Sequence, residues 1–485
     1  MATQGGWMTP TILGRWVFEK PPLLVWLSAI SMKLFGIGPY TARIPALLAG
    51  ALIATLCFAI ARAARSILAG ILAAALCIAD QLLFTMSRHN MTDILLTACG
   101  VVVLAILVYD PPLSLRSSRI AFTIAIAAGI LTKSIAGLLP AFAALLFAAL
   151  SKSGRANRLR VTAVLTGIAI LLASPWFLYN LIVHGNWFRA DMGFQLVTVG
   201  MKPHQISSEN NFVFYLLRLI YAAPAAVVLS ITGIAALIPA LRRRESVPVL
   251  LGCYLAVSFA ALLIFRFRSE QYLTSLIPAL ILIAVISSPF VNRRFGVPLL
   301  VAIGLLFFVK ADNPAEPWGI SYEAGSTVAA ARALSHYCEA GRGNDLYIIG
   351  ADDEFYALAL PLAHLRYGWI DPQNLASNAH PYLEYLGILQ PVSAPLNAAV
   401  YESRLRAWGL NSPAPLATGI VGQNIADFAG LILAHPESDF LVSSDIAHLV
   451  RGRDTHVIAW MEPAFVLLES KTSLPAAPRR WTCRM

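Results

Sequence analysis

Apolar residues run along this chain in blocks long enough to cross a bilayer, separated by short polar punctuation. A helix needs roughly 20 apolar residues to cross the hydrocarbon layer. On that measure the pattern predicts spans at about 42–61, 67–85, 94–109, 118–132, 135–150, 161–182, 212–239, 247–265, 273–291 and 296–309, ten in all. The segment from Pro21 to Phe35 is apolar but short, with Ser28, Ser31 and Lys33 interspersed. It reads as a helix lying in the membrane interface. After Lys310 the pattern changes to polar sequence with strand-like runs at 345–350, 439–443, 456–460 and 464–468 and helix-like stretches at 326–340 and 351–362. The expected fold class is a multi-pass α-helical membrane protein with a C-terminal extracytoplasmic α/β domain. Its parts are an outer first loop with the interfacial helix at 1–41, a transmembrane domain at 42–310 and the α/β domain at 311–485.

Composition agrees with the pattern. Of the 485 residues 58% are hydrophobic and 13% charged, and mean hydropathy is +0.68. Soluble proteins carry about 25% charged residues, so a soluble globular class is excluded. The net charge of +10 lies mainly in short loops between apolar runs, which argues for topology and against nucleic-acid binding. Alternate loops carry Arg62 and Arg65; Arg116 and Arg119; Lys152, Arg155, Arg158 and Arg160; Arg242 to Arg244; and Arg293 and Arg294. These loops are expected to be cytoplasmic, with both chain ends outside. Residues 1–20 hold neither a signal peptide nor a span to carry the start of the chain outward. Four cysteines (Cys57, Cys77, Cys99, Cys253) lie in apolar runs and read as packing residues. Cys338 and Cys483 lie in the polar part, and spacing alone does not decide whether they pair.

The outer ends of the spans gather the ionisable residues: Glu19 and Lys20, Arg88 to Asn90 with Asp93, Lys133, His204, and Arg266 to Tyr272. Such residues in a membrane protein are functional candidates. Each also has a plainer reading. Glu19-Lys20-Pro21-Pro22 can be an interfacial anchor that starts a helix. Asp93 can be a helix N-cap. Lys133, in Gly129-Ile130-Leu131-Thr132-Lys133-Ser134, can snorkel to the headgroups from a turn. Tyr272 can be an aromatic-belt residue. Against the plain readings, cations on the outer side oppose the topology trend, and an anion such as a lipid phosphate would justify them. Arg88, five residues before Asp93, is spaced to order an anion beside that carboxylate.

Phe18-Glu19-Lys20-Pro21-Pro22-Leu23, followed by Ala42-Arg43-Ile44-Pro45 and Leu48-Ala49-Gly50, resembles the lipid-linked sugar transferases of the GT-C superfamily. The branch it resembles holds the protein O-mannosyltransferases and the aminoarabinose transferases that modify lipid A. Ser87-Arg88 through Thr92-Asp93, Leu131-Thr132-Lys133, Ser174-Pro175-Trp176-Phe177 and Arg268-Ser269-Glu270-Gln271-Tyr272 support it, covering residues 14 to about 280. The resemblance implies transfer of a sugar from a polyprenyl-phosphate donor to a lipid, glycan or protein hydroxyl on the extracytoplasmic face of the inner membrane. Glu19 and Asp93 would be the site carboxylates, and Lys20 and Lys133 phosphate-site lysines. Arg88, Arg268 and Tyr272 would be phosphate or donor contacts, Arg268 and Tyr272 loosely, because the family usually has a lysine near there. The resemblance admits a divalent cation as cofactor, although no ligand cluster demands one.

One departure stands out. The family's principal catalytic acid lies upstream of a Gly-Trp-Met-Thr-Pro type stretch, and here Gly6 to Pro10 stands almost at Met1, with no acid before Glu19. The expectation is a first span and its acid upstream of Met1, with the shorter chain inactive and its longer parent active. An in-frame stop upstream in the coding DNA, with no apolar, acid-bearing segment before Met1, would overturn it. Two other readings stand beside the enzyme: a lipid-glycan binding or assembly protein of the same fold, and a transporter. Transporters keep ionisable or helix-breaking residues near mid-membrane in paired halves. Here the charges sit at the outer ends and no inverted repeat is visible.

Overall fold

In the computed structural model the described residues are 6–12, 15–16, 18, 20–151, 153–201, 211–222, 246–264, 268–287, 298, 302, 346–349, 439–443, 455–462 and 465–470. The chain divides into two compact units. One comprises Met1–Met8, Phe18–His184 and Gln195–Gly319; the other comprises Thr9–Val17, Gly185–Phe194 and Ile320–Met485.

The first unit is helical. Pro21 and Pro22 end the irregular start, and α1 follows at Leu23–Phe35. It is too short to span and exposes Val25, Ile30, Leu34 and Phe35, as an interfacial helix does. The long helix α2 (Pro39–Ala64) begins with proline at its first position, where no amide hydrogen is missed. Next come α3 (Ile67–Ala79) and α4 (Gln81–Arg88), bent by 61° at Asp80. Asp80 Oδ1 accepts from the Leu83 amide at 3.0 Å, so the bend is made by an N-cap inside an apolar run. Then follow α5 (Thr92–Tyr109), α6 (Arg116–Lys133), a 3-10 turn (Ser134–Leu138), α7 (Leu139–Leu150) and α8 (Arg155–Met201). Gly185, with φ +49°, breaks α8, and Gly185–Phe194 beyond the break belong to the second unit. Helices α9 (Asn211–Ala222), α10 (Ser246–Ile264) and α11 (Ile277–Ser287) complete the first unit's described helices. A 3-10 turn (Glu270–Ser275) leads into α11.

Among the described residues six stretches are long and apolar enough to span, or seven if α3 and α4 count as one broken span. This chain is therefore a multi-pass membrane protein. Eight of the ten expected spans fall on these segments, with those at 118–132 and 135–150 forming one continuous apolar stretch, Arg116–Leu150. That stretch turns back on itself after Lys133. Ser134 takes φ +47°, a conformation that non-glycine residues seldom adopt. The turn then lays Gly137 against the backbone of Gly129, where a Cβ on Gly137 would collide with main-chain atoms. Most of the expected 212–239 and 296–309 spans lies outside the described residues.

Loop chemistry holds the helices at fixed angles. Between α5 and α6 the buried Asp110 accepts from the Ser114 amide and hydroxyl at 3.0 and 2.9 Å and from the Leu115 amide at 2.8 Å. Burial alone would raise its pKa; hydrogen bonds from Leu115, Ser114 and Ser118 outweigh burial and hold it below the usual carboxylate value. A pKa lower in the folded than in the unfolded state adds stability above the unfolded value of about 3.9, lost as pH falls through the folded one. Asp110→Ala should therefore lose about 2 kcal/mol at neutral pH. The gap to wild type should narrow in thermal melts below about pH 4. At the far end of α2, Arg65 donates through one guanidinium nitrogen to the carbonyls of Val285 and Ile286, both at 2.9 Å. It thereby caps the last turn of α11. The four cysteines at 57, 77, 99 and 253 are buried, as expected for packing residues.

In the second unit Thr11–Ile12 (β1) pairs antiparallel with Arg15–Trp16 (β2). A mixed sheet has the order β3-β4-β6-β5, from Leu346–Ile349, Asp439–Ser443, Phe465–Ser470 and Thr455–Glu462. The pair β3-β4 is parallel and the rest antiparallel. All four strand-like runs read from the sequence coincide with these strands. The helix-like stretches at 326–340 and 351–362, and Cys338 and Cys483, lie outside the described residues.

Candidate active site

Helices α5 and α6 are successive and antiparallel, so the start of one meets the end of the other. Asp93 sits in the first turn of α5, where the helix dipole favours negative charge. Lys133 is the last residue of α6, where it favours positive charge. Their side chains meet at 2.5 Å, with Asp93 5% and Lys133 14% exposed. The dipoles, the positive-φ turn at Ser134 and the Gly129–Gly137 approach all place this lysine on that carboxylate. Asp93 is not the N-cap of α5. Met91 holds that position and has no side-chain oxygen to cap the helix, while the Asp93 carboxylate is turned to Lys133.

The 3-10 turn before α11 brings a third member. Tyr272 presents its ring to Lys133, with Nζ 4.2 Å from the centroid. The lysine is therefore gripped by a carboxylate on one side and an aromatic face on the other. Ahead of the turn, Arg268 donates through Nε to Asn211 Oδ1 at 2.8 Å and lies 5.7 Å from the Phe214 ring centroid. Asn211 also donates to the Leu263 carbonyl at the end of α10, at 3.0 Å. Ser269 donates its amide to the Tyr215 hydroxyl at 3.4 Å, and Arg218 pairs with Glu270. Helix α9 is thus fastened along the segment that delivers Tyr272.

The start of the chain is held by the Ser174 to Phe177 motif. Trp176 Nε1 and Asn180 Nδ2 donate to the Met8 carbonyl at 2.8 and 3.0 Å. Trp26 Nε1 donates to the Trp7 carbonyl at 2.6 Å, and Lys33 lies 5.0 Å from the Trp7 ring centroid. Phe18 is fully buried, 6.4 Å from Trp176 and 5.3 Å from His184 between ring centroids. Lys20 is half-buried in the bend before α1. Glu19, Arg266 and His204 lie outside the described residues.

Of the candidates, Asp93, Lys133 and Tyr272 are in direct contact, and Arg268 stands on the same polar segment as Tyr272. Arg88, expected to order an anion beside Asp93, makes no ion pair with that carboxylate, which is held by Lys133. The arginine ends α4, is exposed and stacks on Phe84 at 5.2 Å. The α9 residues Tyr215 and Arg218 were missed because 212–239 was read as one span, and Asn211 because it stands just before it. Arg218 inside that apolar run was the available signal. Among the described residues no three His, Cys, Asp or Glu side chains converge to hold a metal ion.

The helical unit is that of a polytopic membrane protein, with an acid–base pair where two of its helix ends meet. Residues 19–179 match the family model described as dolichyl-phosphate-mannose-protein mannosyltransferase. The fold matches that of ArnT from Cupriavidus metallidurans in the apo state, with TM-score 0.69 and 18% identity over 96% of this chain and 90% of that one. It matches equally the same protein bound to undecaprenyl phosphate, with TM-score 0.69 and 18% identity over 98% of this chain and 93% of that one. No curated protein matches the chain by sequence. The resemblance to the GT-C glycosyltransferases drawn from the motifs is borne out by both kinds of match.

Proposed function

We propose that this protein is a membrane glycosyltransferase that moves a hexosyl or pentosyl group from a polyprenyl-phosphate donor to a hydroxyl of a lipid, glycan or protein. The reading places the reaction, and the second unit, on the extracytoplasmic face of the inner membrane. The observation that carries it is the contact of Asp93, Lys133 and Tyr272 at helix ends in a GT-C fold. A lysine held there is placed to meet an anion entering beside it.

In the proposed reaction the acceptor oxygen bonds to the anomeric carbon as the bond from that carbon to the phosphate oxygen breaks. The electron pair leaves with the polyprenyl phosphate, and the acceptor proton passes to a carboxylate. Lys133 counters the charge that builds on the leaving phosphate, with Arg268 and Lys20 as further phosphate contacts. Asp93 orients Lys133 and, with Glu19, supplies the carboxylate that takes the proton. No step is routed through a metal ion.

The test is sugar transfer by the purified protein in proteoliposomes, with undecaprenyl- and dolichyl-phosphate sugars as donors and extracted lipids, glycans and peptides as acceptors. Glu19→Gln and Asp93→Asn should each lower transfer by about 10²-fold or more. Unchanged transfer in both variants would remove the carboxylate assignment. Donor binding without transfer to any acceptor would favour the non-catalytic binder.

A further inference from the structure

A second feature lies on other helices. An apolar groove of about 510 Å³ runs between α2 and the bent pair α3–α4. Gly50, Ala54 and Phe58 line it from α2, Ile78 from α3, and Phe84 and Ser87 from α4. Its size falls within the roughly 300–1,000 Å³ of small-ligand sites. Its hydroxyls make no demand on an occupant. Ser87 donates to the Phe84 carbonyl and Thr55 to the Ala51 carbonyl, each at 2.8 Å within its own helix. The walls therefore offer mainly apolar surface.

The mouth differs from the walls. Arg88 is exposed and stacks on Phe84, which itself lines the groove. Arg43 stands seven residues before Gly50, two turns up the same stripe of α2. Both arginines lie within electrostatic reach of His89, whose basicity is lowered by burial and then by the charges of Arg43 and Arg88. The next carboxylate along the chain, Asp93, is taken by Lys133. Cations thus gather at the end of a groove that is otherwise apolar.

From this arrangement we propose that the groove seats one acyl chain of an anionic bilayer phospholipid, with its phosphate at Arg88 and Arg43. The length selects the occupant. From Gly50 to Phe58 is about 12 Å of helix, close to one leaflet's share, about 15 Å, of the hydrocarbon layer. That depth suits an acyl chain of the adjoining leaflet better than a polyprenyl chain, which is longer than a leaflet is thick. An occupant would wedge α2 against the bend at Asp80 and so brace α4, the helix that leads to α5 and Asp93. The site is separate from the Asp93–Lys133 centre and does not rest on the transferase reading.

Native mass spectrometry of the delipidated protein in uncharged detergent tests this. With added phosphatidylglycerol, one lipid should be retained, about ten-fold more tightly than phosphatidylcholine. Ala51→Phe, at an exposed position of the groove wall, and Arg88→Ala should each weaken phosphatidylglycerol retention about ten-fold. Ile78→Phe, exposed on the opposite wall, gives a second blocking variant should Ala51→Phe fail to fold. Equal retention of the two phospholipids, or unaltered retention in the variants, would overturn the site. So would displacement of phosphatidylglycerol by undecaprenyl phosphate with the same sensitivity to Ala51→Phe, which would make the groove part of the donor site.

Discussion

Replacing Lys133 by Met is expected to lower the stability of the helical unit by about 3 kcal/mol, the usual cost of stranding a buried charge. The same variant should lose sugar transfer by about 10²-fold or more, because the leaving phosphate loses a cation. Asp93→Asn should destabilise comparably by stranding the lysine. The double variant separates the two roles. With both charges gone, neither group is left uncompensated at 5% and 14% exposure. Stability should then return most of the way towards wild type, read as the melting midpoint in detergent. Transfer should not return. A double variant that transfers sugar like the wild type would show that the pair is structural and that the site lies elsewhere. If stability also stays low, the coupling inferred from the 2.5 Å contact is wrong.

How much of this pair was legible depends on what kind of information placed it. Asp93 and Lys133 each stood out because an ionisable group at the end of an apolar run needs a reason. That they face each other follows from two adjacent spans joined by a short loop, which also stood in the sequence. What could not be read was the turn after Lys133. Its geometry depends on Ser134 accepting φ +47° and on the backbone approach of Gly129 and Gly137. The placing of Arg88 depended on a helix end that the sequence did not mark. Five residues looked a short distance from Asp93, but α4 ends at Arg88 and a turn intervenes before α5. The guanidinium therefore follows its own helix back to Phe84, four residues earlier. Strand alternation in the second unit was plain, because a period of two is a local property. The bend at Asp80 was hidden in an unbroken apolar run, although an acid within a span was itself a sign of it. The grip of α9 on the 268–272 segment needed tertiary structure, since Asn211 meets Arg268 across 57 residues.

That grip leads to a contrast between two arginines a few residues apart in space. Arg268 and Arg218 both lie over Phe214, at 5.7 and 5.6 Å. Arg268 is half-buried and anchored through Nε to Asn211, on the segment that delivers Tyr272 to Lys133. Arg218 is 47% exposed and pairs with Glu270 at the surface. A surface pair contributes about 0–1 kcal/mol, whereas a hydrogen bond from a charged donor to an anion contributes about 1.5–3 kcal/mol. Arg268→Ala is therefore expected to raise the donor KM by about 10- to 100-fold with a smaller fall in kcat. Arg218→Ala should change either constant by less than about 5-fold. Arg268→Lys keeps the charge but loses the planar fork that reaches Asn211, and should fall between wild type and Arg268→Ala. The KM readout matters, because a merely structural Arg268 would lower the amount of folded protein and leave the KM of the survivors unchanged. If Arg218→Ala raises KM and Arg268→Ala does not, the donor phosphate sits against α9 and not beside the Lys133–Tyr272 contact.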